Sequence, residues 1–187
     1  SYCRQSYQNS RNVDIGSVQR IAESEHGGNT FLTHLGGGLT AGFAPWTVQP
    51  LASLQYTYLG EETFTEEGAG SVSLAVEERR THSLVSDIGV RLKLALGFER
   101  LNLASELTAL WRHDFAVDDG SITAAFVDSP DAPFTISGPE SQADGMLLGF
   151  SLAAGQSERF SASLRYNLEL RGQYRANSLT GEIQYGF

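Results

Sequence analysis

The nine residues Leu179-Thr180-Gly181-Glu182-Ile183-Gln184-Tyr185-Gly186-Phe187 decide the fold. Leu179, Ile183, Tyr185 and Phe187 share one parity, with Gly181 among them. Thr180, Glu182, Gln184 and Gly186 hold the other. A strand sends alternate side chains to opposite faces, so an apolar face backs a polar one up to the last residue. In a soluble protein, an aromatic-rich strand left at a free edge invites aggregation. A closed membrane barrel resolves the difficulty: lipid covers one face, water the other, and the first strand pairs with the last.

The same alternation recurs along the chain. Phe31, Thr33, Leu35, Leu39, Ala41 and Phe43 fall on one face, and Pro45 marks a short turn. Trp46, Val48, Pro50, Ala52, Leu54, Tyr56 and Tyr58 alternate with polar residues. Ile88 to Leu96, Leu101 to Phe115, Met146 to Ala154 and Phe160 to Leu170 repeat the pattern. A weakly patterned segment before residue 10 adds a further strand. About eight strands result, most of them at or above the 9–11 residues a tilted spanning strand needs. Connections near 44, 98 and 156 are short, whereas 9–28, 60–82 and 116–142 read as long loops. Short turns on one side and long loops on the other are the asymmetry of an outer-membrane barrel. A soluble sandwich shows no such alternation of lengths.

Composition agrees. No apolar run in the 187 residues approaches the roughly 18 continuous apolar residues of a spanning helix. A formal charge of -9 argues against a nucleic-acid partner, which calls for a basic patch. The acids gather in the expected loops, at Glu61-Glu62, Glu66-Glu67, Glu77-Glu78, Asp118-Asp119, Asp128 and Asp131, where solvation explains them. Lone Cys3 reads as a small half-buried residue and cannot form an internal disulfide. Ser1-Tyr2-Cys3-Arg4-Gln5 carries no signal peptide, so either one has been removed or the chain is the C-terminal part of a longer protein.

The polar parity holds Arg91, Lys93, Arg112, Arg165 and Arg171 with Glu106, Asp114, Glu169 and Glu182, and Asn167 among them. Facing lipid at mid-depth, each Arg or Lys costs about 2–4 kcal/mol. Facing a wet lumen, these charges pair. Trp46, Phe43, Phe98 and Phe160 lie by the short turns; Tyr56, Tyr58, Trp111, Phe115 and Tyr166 lie toward the other strand ends. Two aromatic belts around an aliphatic band mark membrane interfaces.

Several segments resemble the translocator barrel of autotransporters (type V secretion). Pro50-Leu51-Ala52-Ser53-Leu54-Gln55-Tyr56 is similar to a strand of that family, and Phe64-Thr65-Glu66-Glu67-Gly68-Ala69-Gly70 to the loop after it. Trp111-Arg112-His113-Asp114-Phe115 and Ala132-Pro133-Phe134-Thr135-Ile136-Ser137-Gly138 resemble later segments. Leu179, Ile183, Tyr185 and terminal Phe187 resemble the assembly signal of outer-membrane barrels. The resemblance implies an all-β, antiparallel barrel of about twelve strands, of which residues 1–187 supply the last eight. The passenger, the pore helix and the first strands are then absent. It further implies an outer-membrane protein with a periplasmic C-terminus that exports its own passenger, in contact with lipid, lipopolysaccharide and the barrel assembly machinery.

Two other readings compete. A stand-alone small barrel acting as adhesin, porin or anchor needs only these eight strands. A rim enzyme would draw on His113-Asp114 with Ser105 or Ser121. Adjacent strand residues point to opposite faces, so His113 and Asp114 do not form a dyad, and no enzyme is expected. His26, His34 and His82 are scattered without metal-ligand spacing, so neither metal nor cofactor is expected.

Overall fold

The computed structural model describes residues 1–187 except 17, 98–100, 116–119, 139–141, 158–159 and 187. Among the described residues, thirteen strands follow in order: β1 Tyr2–Ile15, β2 Val18–Gly38, β3 Ala41–Phe43, β4 Trp46–Glu61, β5 Phe64–Thr65, β6 Leu74–Val76, β7 Arg79–Gly97, β8 Asn102–Asp114, β9 Ile122–Phe126, β10 Ser129–Ile136, β11 Asp144–Ser157, β12 Phe160–Arg171 and β13 Tyr174–Tyr185. A 3-10 turn at Gly70–Val72 precedes β6. Eight long strands form one sheet in the order β1-β2-β4-β7-β8-β11-β12-β13, with β3 folded back on β4. Six of the long strands, β4, β7, β8, β11, β12 and β13, cover segments that the alternation predicts. The sheet is not closed between β1 and β13 among the described residues.

The expected loops depart most from the sequence reading. Residues 9–28 are not a loop: β1 and β2 form one hairpin, paired from Tyr2↔Phe31 to Ile15↔Val18 around Gly16. Polar residues on both faces hide a strand from a test of alternation, because the apolar residues there, Val13 and Ala22 among them, are too few to mark one face. The segment Phe31 to Phe43 is not one strand either. It breaks at Leu39-Thr40, and β3 then pairs Phe43 with Trp46. The 60–82 and 116–142 loops contribute a second sheet in the order β10-β9-β6-β5. Its pairs Ile122↔Ile136, Ala124↔Phe134, Leu74↔Phe126 and Phe64↔Val76 put apolar side chains on one face.

The chain divides into two compact units. One comprises residues 1–33, 55–84 and 116–141. Its small core is Val13, Ala22 and Ala69, with Val72 against them. Glu66 is buried there, against the expectation of a solvated acid, because Arg11 grips it at 2.9 and 2.5 Å. Leu74 N–H donates to the same carboxylate at 2.9 Å. Glu61 also pairs, with Arg79. His26 stacks between Tyr7 and Phe64. Cys3 is exposed rather than half-buried. The hydrogen bond to Arg11, with the Leu74 amide and the Arg11 charge behind it, holds the Glu66 carboxyl below its ordinary value against the opposing effect of burial.

The other unit comprises residues 34–54, 85–115 and 142–187. It holds the full lengths of β8, β11, β12 and β13 with the second half of β7.

Candidate functional site: one charged face, one apolar face

Directly opposed residues on adjacent strands share a face, so the register of β7, β8, β11, β12 and β13 sorts every side chain of this unit. One row runs Arg91, Thr108, Gly149, Asn167, Ser178, and the next Lys93, Glu106, Ser151, Arg165, Thr180. The rows between them belong to the other face: Leu92, Leu107, Phe150, Tyr166, Leu179, then Leu94, Ser105, Leu152, Leu164, Gly181. The first face carries Arg91, Lys93, Arg112, Arg165 and Arg171 against Asp87, Glu106, Asp114, Glu169 and Glu182. On the second, charge among the described residues of β8, β11, β12, β13 and the paired stretch Val85–Gly97 of β7 is confined to Asp144 and Arg175, both at the loop end.

The charged face is cross-linked by ion pairs. Arg112 donates to Asp87 from Nε at 2.7 Å and from Nη2 at 2.9 Å, a bidentate clasp between β8 and β7. Its Nη1 lies 3.6 Å from Glu169 on β12. Arg91 and Lys93 flank Glu106 at 3.3 and 3.5 Å. Arg171 lies 3.8 Å from Asp114. Arg91, Arg112 and Arg171 thus find the acids expected of them. Asp87, which the parity places on this face, is the partner the expectation omitted. Arg165 and Glu182 take part in no ion pair among the described residues. A concavity of 680 Å³ opens over this face, lined among others by Arg91, Glu106, Arg165, Asn167, Glu169 and Ser178. Asn167 Nδ2 donates to Ser178 Oγ at 3.3 Å.

Gly89 sits in the charged face between Asp87 and Arg91. A Cβ built there lies 2.0 Å from the Ala109 carbonyl oxygen. Only glycine admits that approach of β7 to β8.

The apolar face is exposed to an extent a water-facing sheet does not tolerate. Leu107, Leu179 and Ile183 are 54, 67 and 77% exposed, and they form part of one continuous surface rather than scattered singles. Aromatic residues stand at its ends: Phe43 and Trp46, and the opposed pair Phe160 and Tyr185, by the short turns; Trp111 and Phe115 by the long connection. Tyr166 instead lies in a middle row, opposite Phe150 and Leu179, and does not belong to the outer belt. Phe98 and Phe187 lie outside the described residues. Leu179, Ile183 and Tyr185 share the apolar face as their parity predicts.

At the loop end of that face, Asp144 Oδ1 receives Trp111 Nε1 at 3.0 Å and contacts His113 Nδ1 at 2.9 Å. Sequence reasoning missed this cluster, because it joins β8 to a residue that lies between the expected loop 116–142 and the strand beginning at Met146. His113 and Asp114 do face opposite ways: His113 pairs with Asp144, and Asp114 with Arg171. Ser86 lies directly opposite His113 in the register, but no hydrogen bond joins them among the described residues. Ser105 sits in the aliphatic rows.

A family model described as the autotransporter β-domain matches residues 1–167. A search of curated proteins finds no match.

Proposed function

Because the chain belongs to the autotransporter β-domain family, and is an outer-membrane translocator domain that anchors and exports a passenger, we propose that its charged face lines a hydrated lumen. Arg91, Lys93, Glu106, Arg112, Asp114, Arg165, Asn167, Glu169, Arg171 and Glu182 form that lining. The supporting observation is the row-by-row alternation of polar and apolar residues across five strands, with ion pairs among β7, β8 and β12 on the polar side. Charges on one face and Leu, Ile and Phe on the other satisfy water and lipid together. The stand-alone barrel is not favoured by the family match.

In this reading residues 1–187 supply the last eight of about twelve strands, and preceding strands, pore helix and passenger complete the protein. Closure then covers the unpaired backbone groups at both edges, which hydrocarbon does not accommodate. The C-terminus and the short connections expected near 44, 98 and 156 lie on the periplasmic side. Leu179, Ile183, Tyr185 and Phe187 are read by the barrel assembly machinery through strand addition. The rim aromatics contact lipid and lipopolysaccharide. The domain performs no covalent chemistry and uses no metal, cofactor or nucleic acid.

The test is surface display in cells. Removing residues 1–187 from the full-length protein abolishes protease-accessible passenger on intact cells; persistence of display overturns the translocator role. An epitope tag inserted at 127–128 is reached by antibody on intact cells, and one at 44–45 is not; the reverse overturns the orientation.

A further inference from the structure

We propose that β1, β2, β4 and β7 carry, toward their loop ends, a docking site for a phosphorylated glycolipid of the outer leaflet. Arg4 receives a phosphate there, and Tyr2, Phe31 and Tyr58 lie against the sugars. The inference rests on the lipid-facing reading and the orientation proposed above, and adds to them a ligand chemistry and the residues that read it.

Two adjacent rows of the unit that holds residues 1–33 and 55–84 carry it. Tyr2 opposes Phe31, and Arg4 opposes Asn29. Glu62 N–H donates to the Gly27 carbonyl at 3.0 Å and Leu39 N–H to that of Pro50 at 3.2 Å. That register sets Phe31 opposite Tyr58 and Asn29 opposite Gly60. The Tyr58 and His82 rings lie 5.1 Å apart, so the aromatic row extends to β7. Two residues nearer the loop ends, the next row holds Arg4, Asn29 and, on β7, Arg80. On β4, Tyr56 and Tyr58 end the apolar parity that begins at Trp46. The aromatic row is therefore where an apolar parity gives way to a cationic one. Tyr2 and Phe31 are 67 and 46% exposed. Glu78 engages Arg80 at 3.0 Å, whereas Arg4 takes part in no ion pair among the described residues.

The chemistry selects the occupant. Tyrosine rings favour the level at which acyl chains meet headgroups, and an arginine one row beyond them stands at the depth of phosphate. A guanidinium binds phosphate with two parallel hydrogen bonds. Neighbouring strands lie about 4.8 Å apart, so four strands make the aromatic row about 14 Å wide. That width takes a pair of sugars, whose apolar ring faces lie flat on aromatic rings, and exceeds what one phosphodiester covers. The Tyr2 hydroxyl donates to Asn29 Oδ1 at 2.6 Å, so a ligand oxygen at this row meets the Nδ2 donors of Asn29 beside Arg4. Charge complementarity and the run of apolar residues behind the rings thus point to one ligand, anionic at its head and apolar at its tail.

The experiment uses the full-length protein, passenger included, with the photoreactive residue p-benzoylphenylalanine in place of Phe31. Purified protein in detergent micelles is titrated with bisphosphorylated lipid A and illuminated, and the crosslinked fraction gives a half-saturating concentration. Removing the phosphates from lipid A raises that concentration about tenfold or more, the factor expected for one lost charge-assisted hydrogen bond. Arg4→Gln raises it by the same factor, and dephosphorylation then adds nothing further. Equal half-saturation for phosphorylated and dephosphorylated lipid A overturns the site, and this comparison stands even if Arg4→Gln does not assemble. Phosphatidylglycerol saturating at the same concentration as lipid A overturns the commitment to a glycolipid. The underlying reading is tested separately, with p-benzoylphenylalanine in place of Leu107 in intact cells. Lipid adducts at Leu107 without a phosphate preference at Phe31 overturn the site alone. Failure of Leu107 to form any lipid adduct overturns the lipid-facing reading itself.

Discussion

Replacing Arg112 by Met tests the ion-paired wall at its most connected point. Met keeps the length of the stem and removes the charge. The change strands Asp87, bound at 2.7 and 2.9 Å, and Glu169, 3.6 Å away. Two charge-assisted hydrogen bonds of about 1.5–3 kcal/mol each set an upper figure of about 3–6 kcal/mol. The side chains of Asp87 and Glu169 are 19 and 31% exposed, so water partly resolvates them once the guanidinium is gone. That compensation brings the expected cost to about 2–4 kcal/mol, below the full penalty of a sealed interior. The assay is equilibrium urea unfolding in lipid vesicles, followed by tryptophan fluorescence, with only Trp46 and Trp111 contributing. Adding Asp87→Leu to Arg112→Met removes one stranded carboxylate. The double variant recovers about 1–2 kcal/mol of the loss relative to additivity. A cost under about 0.5 kcal/mol for Arg112→Met, with no coupling to Asp87, would refute the reasoning that this cluster ties β7, β8 and β12 together.

Three further outcomes are expected. Leu107→Arg places a cation on the apolar face in its middle row and costs about 2–4 kcal/mol, whereas Thr108→Arg, one residue on, is nearly neutral; equal effects in the same urea assay would contradict the facing of β8. Gly89→Ala drives a Cβ into the Ala109 carbonyl and costs about 1–3 kcal/mol, read as a lower temperature of loss of heat-modifiable mobility; an unchanged midpoint would show the close approach to be unnecessary. The lowered Glu66 pKa means that its bond to Arg11 stabilises the fold above the ordinary carboxylate value of 4.5 and is lost as pH falls below that through the folded value. Glu66→Gln therefore flattens stability between neutral and acidic pH, with a loss on the order of 1 kcal/mol at neutral pH because Arg11 is partly exposed; a variant as pH-dependent as the parent contradicts the assignment.

The sequence by itself determined the two faces. The period of two along Leu179 to Tyr185, Phe160 to Leu170 and Ile88 to Leu96 cannot be read in any other register without mixing charge into the apolar face, so the all-β antiparallel class and the residues that share each face were legible. Pairing partners were partly legible, since Arg91, Arg112 and Arg171 lie on the parity of their acids. Tertiary structure alone decided which acid meets which base, because that depends on the stagger between strands and on which strands lie near one another, and parity fixes neither. Asp87 is the nearest case: its parity was visible, but its register against Arg112 was not. The same holds for Asp144, which meets Trp111 and His113 only once β8 and β11 are adjacent. Residues 9–28 and the sheet β10-β9-β6-β5 were invisible for a different reason. The hairpin carries polar side chains on both faces, and the sheet is built from strands as short as the two residues of β5. Strands that short leave no period to read, and their stability comes from contacts such as Arg11 with Glu66 that join residues 55 apart in the chain.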